Sequence, residues 1–329
     1  IDTGASVPSG AIDCEGDYIA PGLIELHTDN LERHLSPRPR VSRPTRAAVL
    51  GHDRELAGAG ITTVFDALRV GSEADQKREG YARYARETAD NILDLMRQHV
   101  LKVSHHIHLR AELCTDTLVE ELHEFSHHDR VGLVSLMDHT PGQRQFRDTS
   151  KLRVYLMGKH GFDDAGVEAH FTRLKELQSL YLEKHRAAAV AYAKQVGAVL
   201  ASHDDTTADD VSASGGEGVT IAEFPTTFEA ATACRAHDQF IVMGAPNIIR
   251  GGSHSGNVAA HDLANDGLLD ILSSDYVPAA LLNAAVTLGI SMKDMAAGIR
   301  KVTAVPADAA GFDDRGRIAP EKRADLVRF

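Results

Sequence analysis

The 329-residue sequence contains no tryptophan, only three cysteines and no apolar run of the roughly 20 residues that a membrane-spanning helix needs. The cysteines, Cys14, Cys114 and Cys234, are odd in number and far apart, which argues against a disulfide framework and against a thiolate zinc site. They are typical of free thiols in a reducing compartment. No secretory signal is visible in residues 1–18, so we expect a cytoplasmic protein, with residues missing at both ends.

Basic residues are also scarce, with 35 Lys and Arg against 47 Asp and Glu, a net charge of −12. This deficit argues against DNA or an anionic membrane as a partner. The apolar fraction of 43% and the charged fraction of 25% are close to the globular norm, which excludes a disordered or fibrous chain. Histidine, by contrast, is abundant: the 18 histidines direct attention to metal binding, because imidazole is the commonest metal ligand.

Short apolar runs rich in Val, Ile and Leu alternate with amphipathic stretches along the chain. Such alternation predicts a parallel sheet covered by helices on both faces. Eight runs within about 250 residues match an α/β fold of the (β/α)8 TIM-barrel type. A doubly wound open sheet also fits, because periodicity does not reveal closure. The runs are 19–26, 61–65, 103–109, 131–137, 196–201, 219–224, 240–244 and 268–272.

The two flanks have a different character, with turn signals and short strand-like pieces but no helical pattern. We predict that residues 1–18 and 312–329 together form a small β-subdomain, a β-sandwich, beside a barrel spanning 19–311. Two frayed termini would give the same pattern.

Polar residues end most of the apolar runs. In a barrel these ends converge on one rim, where active sites are built. Histidine and carboxylate groups meeting there would bind a divalent metal, and His27 and Asp29 could share one ion because alternate strand residues point the same way. Any one of these residues alone is more often a helix cap or a core residue. They are His27, Asp29, Asp66, His108, Glu112, Asp138, His139, His203, Asp204, Asp205, Glu223 and Asp275.

Local sequence also favours a polyanionic ligand, despite the overall negative charge. Residues 31–46 carry five arginines against one glutamate, and arginine binds phosphate bidentately. A Gly- and Ser-rich loop, 250–257, follows the seventh run, a usual phosphate site in such barrels. Both segments could instead be solvated loops. The candidate phosphate-binding residues are Arg38, Arg110, Arg144, Lys159, Arg250 and His254.

Two motifs at opposite ends of the chain carry a family resemblance. APGLIELHTD (20–29) resembles the first-strand P-G-x-I-D-x-H-x-H motif of the amidohydrolase superfamily, and residues 316–327 resemble its closing G-x-I-x-x-G-K-x-A-D-L-V segment. Longer blocks resemble one member family, PhnM, the α-D-ribose 1-methylphosphonate 5-triphosphate diphosphatases of the bacterial carbon–phosphorus lyase pathway. These blocks are 27–39, 60–67, 133–146, 201–207, 221–231, 243–260 and 272–282.

The resemblance implies a metal-dependent hydrolase that converts the triphosphate to the 5-phosphate and pyrophosphate. It gives Asp275 the role of orienting the attacking water and accepting its proton. It places a divalent metal on some subset of His27, Asp29, Glu112, His203 and Glu223.

The sequence departs from the superfamily pattern at Asp29, which replaces the second histidine, at Glu223, which replaces the sixth-strand histidine, and at the fourth strand, which no lysine closes. These changes make the site richer in oxygen ligands than an all-histidine site. We still expect zinc, and the oxygen ligands make manganese or another harder ion the alternative; whether one or two ions bind is left open. Glu112 is the expected bridging carboxylate, and the alternatives are His108, Asp138 and His139.

Two other functions fit the same residues. An amidohydrolase could cleave a cyclic amide or N-acyl bond with the same chemistry, although a neutral amide needs no arginine cluster. A barrel with a decayed site could serve as a scaffold, although such proteins usually lose their metal ligands. We expect a small phosphorylated ribose as substrate, no nucleic-acid or membrane partner, and by default a homodimer.

Overall fold

The computed structural model describes residues 8–38, 41–72, 83–160, 162–253 and 256–329. Eight parallel strands pair in chain order, from β2 to β9, and form one sheet. A second, two-stranded sheet joins β1 to β10. The strands are β1 (Ile19–Pro21), β2 (Leu23–Thr28), β3 (Ile61–Val70), β4 (Ser104–Glu112), β5 (Val131–Met137), β6 (Val199–His203), β7 (Ile221–Glu223), β8 (Phe240–Gly244), β9 (Ile271–Ser273) and β10 (Leu326–Arg328).

Helices follow the barrel strands and cover the outside of the sheet. None of the helices within the described ranges is both long and apolar enough to cross a membrane. The helices are α1 (Asn30–Leu35), α2 (Thr45–Gly58), α3 (Ala85–Arg97), α4 (Leu118–Leu122), α5 (Thr149–His160), α6 (Asp164–Val196), α7 (Ala208–Gly216), α8 (Phe228–Ala236), α9 (Ala245–Arg250), α10 (Ala260–Asn265), α11 (Ala280–Ser291), α12 (Met295–Arg300) and α13 (Ala304–Ala309).

The sheet closes because the first barrel strand meets the last. The backbone N–H of Asp29 donates to the carbonyl of Asp275 at 2.9 Å, and the Thr28 hydroxyl donates to the same carbonyl at 2.7 Å. A parallel bridge between Thr28 and Asp275 joins the two segments. The predicted (β/α)8 barrel is therefore confirmed, and the open doubly wound sheet is wrong.

A fully buried carboxylate, that of Glu25 on β2, ties the two closing strands together. It accepts hydrogen bonds from the Ser273 hydroxyl at 2.9 Å and the Ser274 N–H at 2.5 Å, both on the far side of the seam. It also accepts from the N–H of His27 at 2.7 Å, where the pairing of β2 with β3 shifts register. A buried carboxylate with several donors fixes backbone position, because each donor would otherwise be left unpaired.

An apolar cluster from most of the barrel strands fills the interior. At the end away from the strand carboxyl termini it is covered by α13 and Phe312, whose ring lies 5.8 Å from that of Phe65. Bulky branched side chains in layers are typical of such interiors. The strand residues of this cluster are Ile24, Leu26, Phe65, Leu133, Ala201, Ile221, Val242 and Ile271.

The first apolar run, predicted as one barrel strand, is divided at Gly22. Residues 19–21 pair antiparallel with β10, and the barrel strand begins at Leu23. A Cβ atom at Gly22 would lie 2.0 Å from the Thr62 hydroxyl, so only glycine allows the chain to pass Thr62 here. The observed terminal sheet thus consists of 19–21 and 326–328, and residues 1–7 of the predicted subdomain lie outside the described residues.

Asp66 does not reach the rim that the sequence predicted for it. β3 continues to Val70, so Asp66 lies in the middle of the strand, where its carboxylate accepts hydrogen bonds from His52 Nε2 at 2.9 Å and His105 Nδ1 at 2.7 Å. His105 Nε2 lies 3.3 Å from Asp53 Oδ1 on α2. All four side chains are completely buried, and together they join α2 to β3 and β4.

Burial alone would raise the pKa of Asp66, but the two histidines hold it well below its usual range. Burial would lower the pKa of His105, but the Asp66 carboxylate overrides this effect and raises it to about 9. The charged form of His105 therefore stabilises the fold. This contribution is fully present below pH 6.5 and is lost as the pH rises toward 9.

We predict that Asp66→Asn lowers the free energy of unfolding by about 3–5 kcal/mol near neutral pH, because it leaves a buried imidazolium without its carboxylate. Between pH 6.5 and 9 the free energy of unfolding of the parent should fall as His105 loses its proton, and this contribution to the fall should be absent from the variant. Urea unfolding across this pH range measures both effects. Asp209→Asn, an exposed change, should match the parent, and an unchanged stability for Asp66→Asn would contradict the assignment.

Candidate active site

A cavity of about 460 Å³ opens at the carboxyl ends of the barrel strands. Its walls come from segments that follow six different strands and from Arg110 on β4, at the end of the barrel where such enzymes carry their catalytic groups. Its ionisable lining residues are His27, Asp29, Arg110, His139, His203, Asp204, Arg250 and Asp275.

The backbone turns sharply at three of the strand ends that border the cavity. Asp204, Phe224 and Asp275 adopt left-handed conformations, with φ of 58°, 56° and 55°. Such a conformation costs on the order of 1–3 kcal/mol for a non-glycine residue and clusters at functional sites. The turn at Phe224 places its ring against two imidazoles, 5.1 Å from that of His27 and 5.3 Å from that of His203.

His27 on β2 and Glu223 on β7 form a buried pair across the interior of the barrel. His27 Nδ1 lies 3.0 Å from Glu223 Oε1, and the other carboxylate oxygen accepts from the Ser135 hydroxyl at 2.6 Å. Burial would lower the pKa of His27, but the Glu223 carboxylate raises it to about 9. Since Glu223 occupies Nδ1, the Nε2 atom of His27 is the one available to the cavity, while Glu223 itself lies outside the cavity lining.

His139, which follows β5, and Glu112 on β4 repeat this arrangement. His139 Nδ1 donates to Glu112 Oε2 at 2.7 Å. Burial would raise the pKa of Glu112, but the His139 imidazole keeps it below its usual value. His139 lines the cavity and Glu112 does not. Carboxylates commonly hold the Nδ1–H of a metal-binding histidine and so direct Nε2 at the ion.

The third histidine of the cavity, His203, lies beside the carboxylate of Asp204. Asp204 Oδ2 lies 2.7 Å from His203 Nδ1 but is buried and accepts no well-aligned hydrogen bond from any residue that the structure describes. A buried oxygen without a donor is costly unless a cation is present. His139, His203 and Asp204 each offer a ligand atom within 4.8 Å of the others, which fits a divalent metal ion.

A second group with ligand spacing lies deeper, formed by His27, His108 and Glu223. His108 Nδ1 donates to the Leu26 carbonyl at 3.0 Å, and its Nε2 contacts the Ser135 hydroxyl. Burial lowers the pKa of His108 to about 3, so this imidazole is neutral. His108 is not part of the cavity lining, and its contacts make it a support for the Glu223 side of the site.

Asp275 lies at the seam where the barrel closes and faces the cavity. Burial, together with the nearby Asp29 carboxylate, raises the pKa of Asp275 to about 6. Asp29 forms an ion pair with Arg110, whose NH1 donates to Asp29 Oδ1 at 2.5 Å. Asp29 Oδ1 also lies 3.9 Å from His27 Nε2, so the structure brings together the pair predicted on the first strand.

The predicted phosphate-binding residues divide into three groups. Arg110 and Arg250 line the cavity, as do Gly252 and Ser253 of the predicted loop. Arg144 lies outside the lining, where it donates to the His203 carbonyl at 2.9 Å and to Asp205 at 2.6 Å and so supports the turn after β6. Arg38 is exposed and also outside the lining. His254 and the side chain of Lys159 lie outside the described residues.

Of the alternatives for the bridging position, only His139 borders the cavity. Asp138, its neighbour, is occupied by the Thr140 N–H at 3.0 Å and the Gln178 amide at 2.8 Å. The family resemblance did not include Asp204 among the metal ligands, although its place in the polar stretch 203–205 had put it among the candidate residues at the strand ends. It also missed the aromatic wall formed by Phe224.

Comparison with known proteins identifies the family. The alpha-D-ribose 1-methylphosphonate 5-triphosphate diphosphatase of Escherichia coli (strain K12) is 44% identical over 322 residues, which cover 96% of this chain and 84% of that protein. The chain belongs to this diphosphatase family. No protein-family model matches the chain.

Solved structures with low sequence identity share the fold. The 5-methylcytosine deaminase of Klebsiella pneumoniae superposes with a TM-score of 0.57 at 14% identity, over 98% of this chain and 82% of that one. An uncharacterised metal-dependent hydrolase from Pyrococcus horikoshii OT3 gives 0.52 at 11% identity, over 86% and 59%. Such similarity concerns the fold alone, and it agrees with the barrel expected from the amidohydrolase resemblance.

We predict that in this member of the diphosphatase family Glu112→Gln weakens metal binding by about 10- to 100-fold, because the amide no longer holds the His139 Nδ1–H with a full charge. Competition against a chromogenic chelator measures the change. Glu176→Gln, an exposed substitution on α6, is the matched control and should bind as the parent does. Complete loss of metal would instead identify Glu112 as a direct ligand.

Proposed function

We propose that the protein hydrolyses α-D-ribose 1-methylphosphonate 5-triphosphate to the 5-phosphate and pyrophosphate, in phosphonate catabolism through the carbon–phosphorus lyase pathway. The observation that carries the proposal is the 44% identity to the E. coli diphosphatase across 96% of the chain. The cavity supports it, because histidines and carboxylates for a metal lie beside cationic groups for phosphate.

Zinc is the ion we favour, with manganese as the alternative. The residues that would hold it are His139 and His203, together with Asp204, whose ligand atoms lie within 4.8 Å of one another. Two imidazoles and one carboxylate suit a borderline cation. Glu223 and Glu112, both expected as ligands from the sequence, would orient His27 and His139 instead. When bound, the ion lowers the pKa of a water molecule toward about 7 and offsets negative charge on phosphate oxygens.

Asp275 acts as the general base in this proposal. Its carboxylate faces the cavity from the closing seam and accepts the proton of the attacking water. The water oxygen forms a bond to the α-phosphorus, the bond from that phosphorus to the bridging oxygen breaks, and pyrophosphate leaves. Phe224 shields one side of the site from solvent, which strengthens the electrostatic interactions within it.

Arg250 and the loop that follows it bind the leaving phosphates. Arg250 is exposed at the cavity wall and pairs with no carboxylate among the residues described, so its guanidinium is available. Gly252 and Ser253 lie beside it in the lining, and glycine lets phosphate approach the backbone closely. We also propose a cytoplasmic location, which the three free cysteines favour.

We predict that Asp275→Asn lowers the rate of pyrophosphate release by about 10²- to 10⁴-fold, because an amide cannot accept the proton. Its metal content should equal that of the parent. Pyrophosphate release from the ribose 5-triphosphate substrate and metal analysis of the same preparation measure the two effects. Asp266→Asn, an exposed change nearby in sequence, should retain the parental rate, whereas a fully active Asp275→Asn would remove Asp275 from the mechanism.

Parallel assays separate this function from its rivals. The parent protein is offered the ribose 5-triphosphate compound, ordinary nucleoside triphosphates, and hydantoin-type and N-acyl substrates. Turnover of the amides without pyrophosphate release would favour an ordinary amidohydrolase. A folded protein that neither turns over any of these substrates nor takes up metal would favour a scaffold.

A further inference from the structure

Arg110 places a permanent positive charge in the middle of the site. It lies two residues after His108 on β4, and its side chain is only 14% exposed. Its NH1 is held by Asp29 at 2.5 Å, and its Nε faces the sulfur of Met137 at 3.3 Å. Burial would lower the pKa of Arg110, but Asp29 and neighbouring acids raise it above its usual range, and a guanidinium stays charged in any case.

If one ion lies on His139, His203 and Asp204, a second metal ion would need the neighbouring carboxylate of Asp29. On the sequence pattern it shares an ion with His27, and its Oδ1 lies 3.9 Å from His27 Nε2. That same oxygen is the one that accepts from Arg110. A dication on Asp29 would therefore lie within a few ångströms of a fixed cation, with little water between them to screen the repulsion.

The NH2 group of Arg110 is available to bind substrate. The side chain lines the cavity, and its NH2 group donates to no residue in the described part of the chain. A guanidinium anchored on a carboxylate through one nitrogen can still donate from the other to a phosphate oxygen.

Building on the proposed function, we propose that Arg110 replaces a second metal ion beside Asp29. The centre then binds one ion, on the side of His139, His203 and Asp204, and Arg110 supplies the other positive charge to the triphosphate. Asp29 orients Arg110 and is not required as a metal ligand.

The first test counts metal ions. Protein stripped with a chelator and reloaded with Zn²⁺ or Mn²⁺ should hold one equivalent per chain, and the Mn²⁺ form should give the electron paramagnetic resonance spectrum of an isolated ion. Arg110→Met should bind a second equivalent, with spin coupling between two Mn²⁺ ions, whereas Arg110→Lys should keep one. Arg250→Met, the control variant that removes a different arginine from the cavity, should also bind one metal ion per chain. Two coupled ions in the parent, or one ion in a folded Arg110→Met, would overturn the proposal.

The second test uses Asp29→Asn, which does not depend on the folding of the Arg110 variants. It should retain one equivalent of metal with an affinity within about threefold of the parent, and it should raise the KM for the triphosphate because Arg110 loses its anchor. Loss of the metal would show that Asp29 is a ligand and would contradict the proposal. The metal count requires no substrate, so a parent with one ion and no pyrophosphate release would refute the proposed function alone.

Discussion

The seam between the first and last barrel strands is the constraint on which the site depends. Glu25 receives donors from both strands, and the Asp275 carbonyl receives the N–H of Asp29 and the hydroxyl of Thr28. The backbone of the proposed base is thus a closing element of the barrel, and the first-strand residues His27 and Asp29 lie directly opposite it. The hydrogen bonds that close the barrel therefore also place His27, Asp29 and Asp275 beside one another.

Pairs of side chains at the strand ends orient the functional groups toward the cavity. Glu223 holds His27 and Glu112 holds His139, in each case at Nδ1, so that the two imidazoles present the same nitrogen to the cavity. Arg110 and Asp29 form a third pair of opposite charge. Each pair joins different strands, so the relative position of the strands determines the direction of these side chains.

The sequence predicted the architecture more fully than the roles of individual residues. Alternating apolar runs and helices indicated the barrel, and the polar strand ends indicated the rim. The pattern could not say whether Glu112 or His139 faces the cavity, because that choice depends on the pleat and on contacts between strands. It placed Asp66 on the rim because a carboxylate in a strand interior is rare, and here two buried histidines make it possible. The division at Gly22 depends on Thr62, a neighbour that only folding reveals.

The left-handed backbone at Asp204, Phe224 and Asp275 has a consequence for evolution of the family. Glycine adopts this conformation without steric cost, and asparagine and aspartate adopt it more readily than other residues, whereas β-branched residues rarely do. Backbone geometry alone therefore restricts which residues can replace Asp204 and Asp275, whatever their chemical roles. Phe224 is the exception, since its side chain gains nothing from such a turn; what the turn provides is the contact of its ring with the two imidazoles of His27 and His203.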